Sequence, residues 1–153
     1  MKKCIFCDIA HKTSPAHKVW EDEDHLAFLS IYPNTEGVTV VIPKKHYPSY
    51  AFAVPEDVLV KLIQASRQVA LLLDSALENV ARTGLVLEGY GVDHLHAKLF
   101  PMHNTGKDST FKLIKSDVEK FFDKYEGYLS SHDGKRADED ALASLAAYIR
   151  SCS

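Results

Sequence analysis

The chain has no long apolar run. Its longest aliphatic stretch, Val69 to Leu73, is five residues, where a membrane-crossing helix needs about 20, so no span is expected. It has no excess of positive charge either. The 18 Lys and Arg stand against 21 Asp and Glu, for a formal charge of −3, which is not the basic footprint of a non-specific nucleic-acid binder. Cysteine is scarce and odd in number, at three. That does not make a disulfide scaffold and fits a reducing compartment. The opening MKKCIFCDIA carries two lysines, but its apolar stretch breaks at Asp8, so it does not read as a secretory signal. Repeats, low-complexity tracts and obvious linkers are also lacking. What is present is enough for a core: 153 residues at 46% hydrophobic suit one domain. The expectation is a soluble cytoplasmic protein.

Short strands are predicted over His17 to Glu21 and His25 to Ser30, around the turn Asp22-Glu23-Asp24. The turn PNTEG, Pro33 to Gly37, leads into Val38 to Ile42, which is β-branched almost throughout and reads as a buried strand. Pro43 stops it, and Lys44, Lys45 and His46 follow in a loop. Pro55-Glu56-Asp57 has the signature of a helix start, since proline tolerates the first turn and acids suit its positive end. Apolar residues at three- and four-residue steps (Leu59, Leu62, Ile63, Val69, Leu73, Leu77, Val80) carry that helix to about Arg82. Two further strands are predicted over Gly84 to Glu88 and Asp93 to Phe100, then helices over Asp117 to Tyr125 and Asp138 to Arg150. Mostly consecutive strands with one long helix and a helical tail predict α+β, with an antiparallel sheet of about five strands. Residues 1–110 form the main unit in this reading, and 111–153 a C-terminal helical extension of it.

The stretch GVDHLHAKLF, Gly91 to Phe100, is the unusual one. Strand alternation puts His94, His96 and Lys98 on one face, and the apolar Leu95, Ala97 and Leu99 on the other. The apolar face suits the core, so the polar triplet is expected to face a surface or cleft. Cys4 and Cys7 form a C-x-x-C pair. A redox pair would follow a strand and open the helix of a βαβ unit, and only three residues precede this one. Zinc would need two more ligands, for which His46 and His94 are candidates, although the spacing is not that of a zinc finger. The remaining histidines (His11, His17, His25, His103, His132) read as ordinary side chains.

These pieces, in this order, resemble the histidine triad superfamily of nucleotide hydrolases and transferases. The resemblance runs from about Cys4 to Met102: the C-x-x-C start, an acidic hairpin, a β-branched strand ending in IPKKH, a long helix, then H-x-H. It implies that His96 attacks the α-phosphorus of a nucleotide and that Lys98 holds the third triad place. It implies that Ser30 and Ile31 touch the substrate. In the zinc-bearing transferase branch, the matching places to Cys4, Cys7, His46 and His94 bind a structural zinc. A homodimer is implied as well, and Ser130 to Arg136 could contact substrate from the C-terminal extension. The sequence departs in three places. Lys98 stands for the third histidine, Ser30 stands where an asparagine or aspartate usually holds the ribose, and VLEGYGVD lacks the usual asparagine and glutamine-serine.

The chemistry is consistent with that implication. A neutral imidazole is a nucleophile near pH 7, and its attack on phosphorus divides one difficult displacement into two. An ammonium at Lys98 would meet the charge on the phosphate oxygens. The alternative is a zinc-stabilised nucleotide-binding or interaction module with little turnover.

Overall fold

The structure, a computed structural model, describes residues 4–107, 110–111, 122–126 and 135–152. The five expected strands form one antiparallel sheet: β1 (Lys18–Glu21), β2 (His25–Leu29), β3 (Thr39–Pro43), β4 (Thr83–Val86) and β5 (Ala97–Pro101), in the order β1-β2-β3-β5-β4. Among the described residues the helices are α1 (Ile5–Ala10), α2 (Glu56–Ala76) and α3 (Glu139–Ser151), with a 3-10 turn at Ala51–Ala53. The α+β architecture with one long helix and a C-terminal helix is therefore as expected. No helix among the described residues is long and apolar enough to cross a membrane.

Strands β2 and β3 are buried at every position, because both faces of the sheet are covered. Ala27, Leu29, Val41, Ala97 and Leu99 face the main core under α2 and α3. Leu26, Phe28, Val40 and Ile42 face the other way, under Phe6, Ile9 and Ala10 of α1. The register Val40↔Lys98 and Val41↔Ala97 sets Lys98 on the α1 side and Ala97 on the α2 side. Lys98 thus lies on the face that the short N-terminal helix covers.

Helix α2 buries Val58, Leu62, Ala65, Ser66, Val69, Leu72, Leu73 and Ala76. Truncating a fully buried leucine such as Leu62 would cost about 2–5 kcal/mol. The helix ends at Ala76, six residues short of Arg82. Leu77 is extended and Asn79 is left-handed, at φ 56°, yet Leu77 and Val80 remain buried. The apolar period therefore outlasts the helix, because the turn after it still packs on the core. Ile63, expected on the buried face, is 41% exposed.

Helix α3 starts where Asp138 caps it, accepting from the backbone N–H of Ala141 at 2.9 Å. Leu142, Ala146 and Ile149 form its buried stripe, and it packs on β1, β2 and α2. His17 meets Glu139 at 2.6 Å, and Arg150 donates to the backbone carbonyl of Lys18. Most of the predicted helix from Asp117 lies outside the described residues, as does most of Ser130 to Arg136; Phe122 to Tyr125 is not helical.

Candidate active site and metal centre

The strand predicted to begin at Asp93 begins at Ala97. His94 and His96 stand just before it, in a segment pinned by the Leu95 N–H to the Tyr47 carbonyl at 2.9 Å. Alternation survives: Leu95 is fully buried in the main core. The expectation that the triplet faces a surface or cleft is corrected for both histidines. His94 is 0% and His96 3% exposed. The cover is Phe6 of α1, whose ring meets His94 and His96 edge-on at 5.9 and 5.4 Å. Phe6 also packs edge-on against Phe28 at 5.5 Å. That helix is too short to announce itself by periodicity.

Helix α1 also brings the cysteines in. Cys4 is its N-cap and Cys7 lies three residues on, on the same side. Cys4 Sγ is 3.4 Å and Cys7 Sγ 3.5 Å from His94 Nδ1, and Cys7 Sγ is 3.4 Å from His46 Nδ1. The ligand atoms of Cys4, Cys7, His46 and His94 all lie within 4.8 Å of one another. Tetrahedral zinc, with Zn–S of about 2.3 Å and Zn–N of about 2.0–2.1 Å, has S···N edges of roughly 3.6 Å. The donor set fits such an ion. His94 Nε2 donates to the Pro43 carbonyl at 2.8 Å, which leaves Nδ1 as the lone-pair nitrogen facing the sulfurs. A backbone partner of this kind is what orients metal-bound imidazoles. Burial first, then the neighbouring Cys4, push Cys7 up to about 11, the reverse of a reactive redox thiol.

The same residue orients its neighbour. His96 Nδ1 donates to the His94 backbone carbonyl at 2.7 Å, so its lone pair sits on Nε2. Burial, and then the charge of Lys98, hold His96 below the ordinary 6.5, against the opposing pull of the backbone contact and Glu88. The imidazole is neutral near pH 7, as a nucleophile must be. Lys98 Nζ lies 3.8 Å from Glu88 Oε1, both side chains being largely buried. Glu88 in turn accepts from the Tyr125 hydroxyl at 3.0 Å.

Cys4, Cys7, His46 and His94 are thus brought together, with His96 on the backbone of the last and Lys98 two residues on. Ser30 and Ile31 stand apart from this group. On the sheet, Lys98, Val40 and Phe28 are level, and Ser30 is two residues beyond Phe28. The Ser30 N–H donates to the Val38 carbonyl at 2.8 Å, and the Ile31 carbonyl accepts from Ala137 at 2.9 Å. Ser30 lines an apolar cleft of about 200 Å³ with Leu29, Val38, Leu142 and Leu145. Sequence reasoning missed Glu88 and Phe6. Glu88 carried no local signal: it falls near the lysine because Val86 pairs with Lys98 across the sheet.

Residues 11–105 match the HIT domain. An uncharacterized HIT-like protein from Mycoplasma genitalium is 31% identical over 128 residues, 80% of this chain and 89% of the relative. The adenosine 5'-monophosphoramidase HNT1 of Saccharomyces cerevisiae is 31% identical over 98 residues, 64% of this chain and 61% of that enzyme. Among solved structures, a hypothetical histidine triad nucleotide-binding protein from Sulfolobus tokodaii superposes with a TM-score of 0.71 at 27% identity, covering 97% of this chain and 91% of the other. A domain match across more than half of the residues, falling on the strands and the histidines just described, makes this chain a member of the HIT family.

Proposed function

We propose that the protein is a nucleotidyl hydrolase or transferase in which His96 is the nucleophile. The observation that carries the reading is the bond from His96 Nδ1 to the His94 carbonyl at 2.7 Å. It holds the proton on one nitrogen and commits Nε2 to attack. Nε2 uses its lone pair to form a P–N bond at the α-phosphorus, and the bond from phosphorus to the leaving group breaks with its electron pair. Water or another acceptor then attacks the nucleotidyl-histidine, the P–N bond breaks, and His96 is restored. Lys98 meets the phosphate oxygens as an ammonium. Ser30 and Ile31 contact the nucleoside side of the substrate. The monophosphoramidase activity in the name of the yeast relative supports a nucleotide conjugate as the substrate class.

Cys4, Cys7, His46 and His94 would hold zinc. With four protein ligands the shell is closed, so the ion supplies structure. We read residues 1–110 as the catalytic unit, 111–153 as its C-terminal extension, and the working form as a cytoplasmic homodimer. The test is single-turnover reaction with an adenylyl ester, followed by mass spectrometry of the quenched protein. An adenylyl group on His96, absent from His96→Asn, is the expected result. Nucleotide binding with neither adduct nor turnover would leave the binding-module alternative.

A further inference from the structure

The loop after β4 carries a carboxylate into the site. Gly89, at φ 74°, lets this loop run against Ser49, where a Cβ would meet the Ser49 carbonyl oxygen at 2.9 Å. The Ser49 N–H donates to Asp93 Oδ1 at 3.1 Å, so the loop is held at both ends. Glu88 lies within it, with a side chain only 10% exposed. One carboxylate oxygen faces Lys98 Nζ at 3.8 Å, and the other accepts from the Tyr125 hydroxyl at 3.0 Å. Tyr90, two residues on, stacks on the Tyr125 ring at 6.1 Å and 23°. One side chain, Tyr125, therefore meets this loop twice, through its hydroxyl and through its ring. At 3.8 Å the ion pair is longer than a direct charge-assisted bond of about 2.8 Å, so the carboxylate holds the ammonium by charge and not by a direct hydrogen bond.

We propose that Glu88 is a positioning residue for Lys98: held by Tyr125, its carboxylate tethers the ammonium beside His96 and offsets its charge, so that the site accepts a nucleotide phosphate and releases the anionic product. This rests on the reading that His96 and Lys98 receive a nucleotide phosphate. The offset has a definite sign. Without its carboxylate partner the Lys98 ammonium turns fully to the phosphate, a gain the size of one net hydrogen bond, or about three- to tenfold in affinity. A carboxylate that served only as scaffold would weaken binding when replaced.

The test is the affinity of adenosine 5'-monophosphate for the full zinc-loaded chain, by calorimetry, with melting temperature as a control. Glu88→Gln is expected to bind about three- to tenfold tighter than wild type, and the gain should shrink in about 0.5 M salt. Glu88→Asp keeps the charge and should stay near wild type. In the Lys98→Gln background the same Glu88→Gln change should gain less, because the two residues act as a pair. Tyr125→Phe, which keeps the ring stack, should move affinity in the same direction by a smaller factor. Weaker or unchanged binding by Glu88→Gln would overturn the proposal. An equal gain with and without Lys98 would mean that Glu88 acts directly on phosphate, which also overturns it, and an inert Tyr125→Phe removes the C-terminal link. Wild type that binds no adenosine 5'-monophosphate sinks the nucleotide reading itself, whereas binding without the predicted shift sinks only the role of Glu88.

Discussion

Two substitutions at His96 separate its chemistry from its place in the fold. The ring is 3% exposed and lies edge-on to Phe6 at 5.4 Å. Its Nδ1 supplies the hydrogen bond to the His94 carbonyl. His96→Ala removes the ring and that donor together, which should cost about 2–4 kcal/mol, combining a partly collapsed cavity with an acceptor left unpaired. His96→Asn places an amide nitrogen near the old Nδ1 position and restores the donor. Its cost should be about 1–2 kcal/mol less than that of alanine, or roughly 2–8 °C in melting temperature for a chain of this size. Turnover should not distinguish them. Neither has Nε2, so both should lose at least about 10³-fold on an activated adenylyl ester. Urea unfolding with zinc present gives the stabilities, and release of the leaving group gives the rates. Equal destabilisation would show that the His94 carbonyl does not depend on this donor. An asparagine variant with near-wild-type turnover would remove the covalent mechanism.

Protein purified without added metal should carry about one zinc per chain. Chelation should lower the melting temperature, since binding to the folded state alone is folding free energy; metal-free protein of unchanged stability refutes the site. Lys98→Gln should weaken adenosine 5'-monophosphate binding by about tenfold, as loss of one charged contact, while sparing much of the turnover on an activated ester. Lys98→His should raise phosphoramidate turnover relative to the ester. A wild type that prefers phosphoramidates, and loses that preference in Lys98→Gln, would make Lys98 the proton donor. Glu21 is pulled from the ordinary 4.5 to about 2 by hydrogen bonds from Lys18 and then Lys44. A depressed carboxylate contributes stability above its unfolded value, so the advantage of wild type over Glu21→Gln should be constant above about pH 5 and fade between about 4.5 and 2. A difference that does not change across that window counts against those contacts.

The sheet was legible because each strand carried a local signature: β-branching in β3, turn residues before it, and alternation in β5. Alternation even ran past the end of β5, since Leu95 faces the core without a strand hydrogen-bond partner on either side of the ladder. What local patterns could not convey was burial from a distance. His94 and His96 read as facing a surface or cleft because the residue that covers them, Phe6, lies some ninety positions earlier in a six-residue helix. The end of α2 failed for the opposite reason. Leu77 and Val80 continue the apolar period and are buried, but they are buried by a turn, and only Asn79 hinted at the left-handed residue there. Glu88 became visible only through the pairing of Val86 with Lys98, which no single segment contains.

A zinc bound by these four residues would bear on the proposed reaction without performing a step in it. An open coordination position would activate a water and make a histidine nucleophile redundant. With Cys4, Cys7, His46 and His94 all bound to an ion no such position would remain, and the proposed chemistry would rest on His96. Yet His94 is fixed three ways: its Nδ1 faces the two sulfurs, its Nε2 donates to Pro43, and its carbonyl accepts from His96. The first contact sets the ring, the second sets the tautomer, and the third passes both to the next imidazole through one peptide unit. The cysteines enter the same chain of contacts from α1, which also carries Phe6 over both rings. A bound zinc would therefore lock α1, the loop after β3 and the segment before β5 into one unit. The orientation of His96 Nε2, on which the proposed attack depends, would then be set by contacts made outside His96 itself.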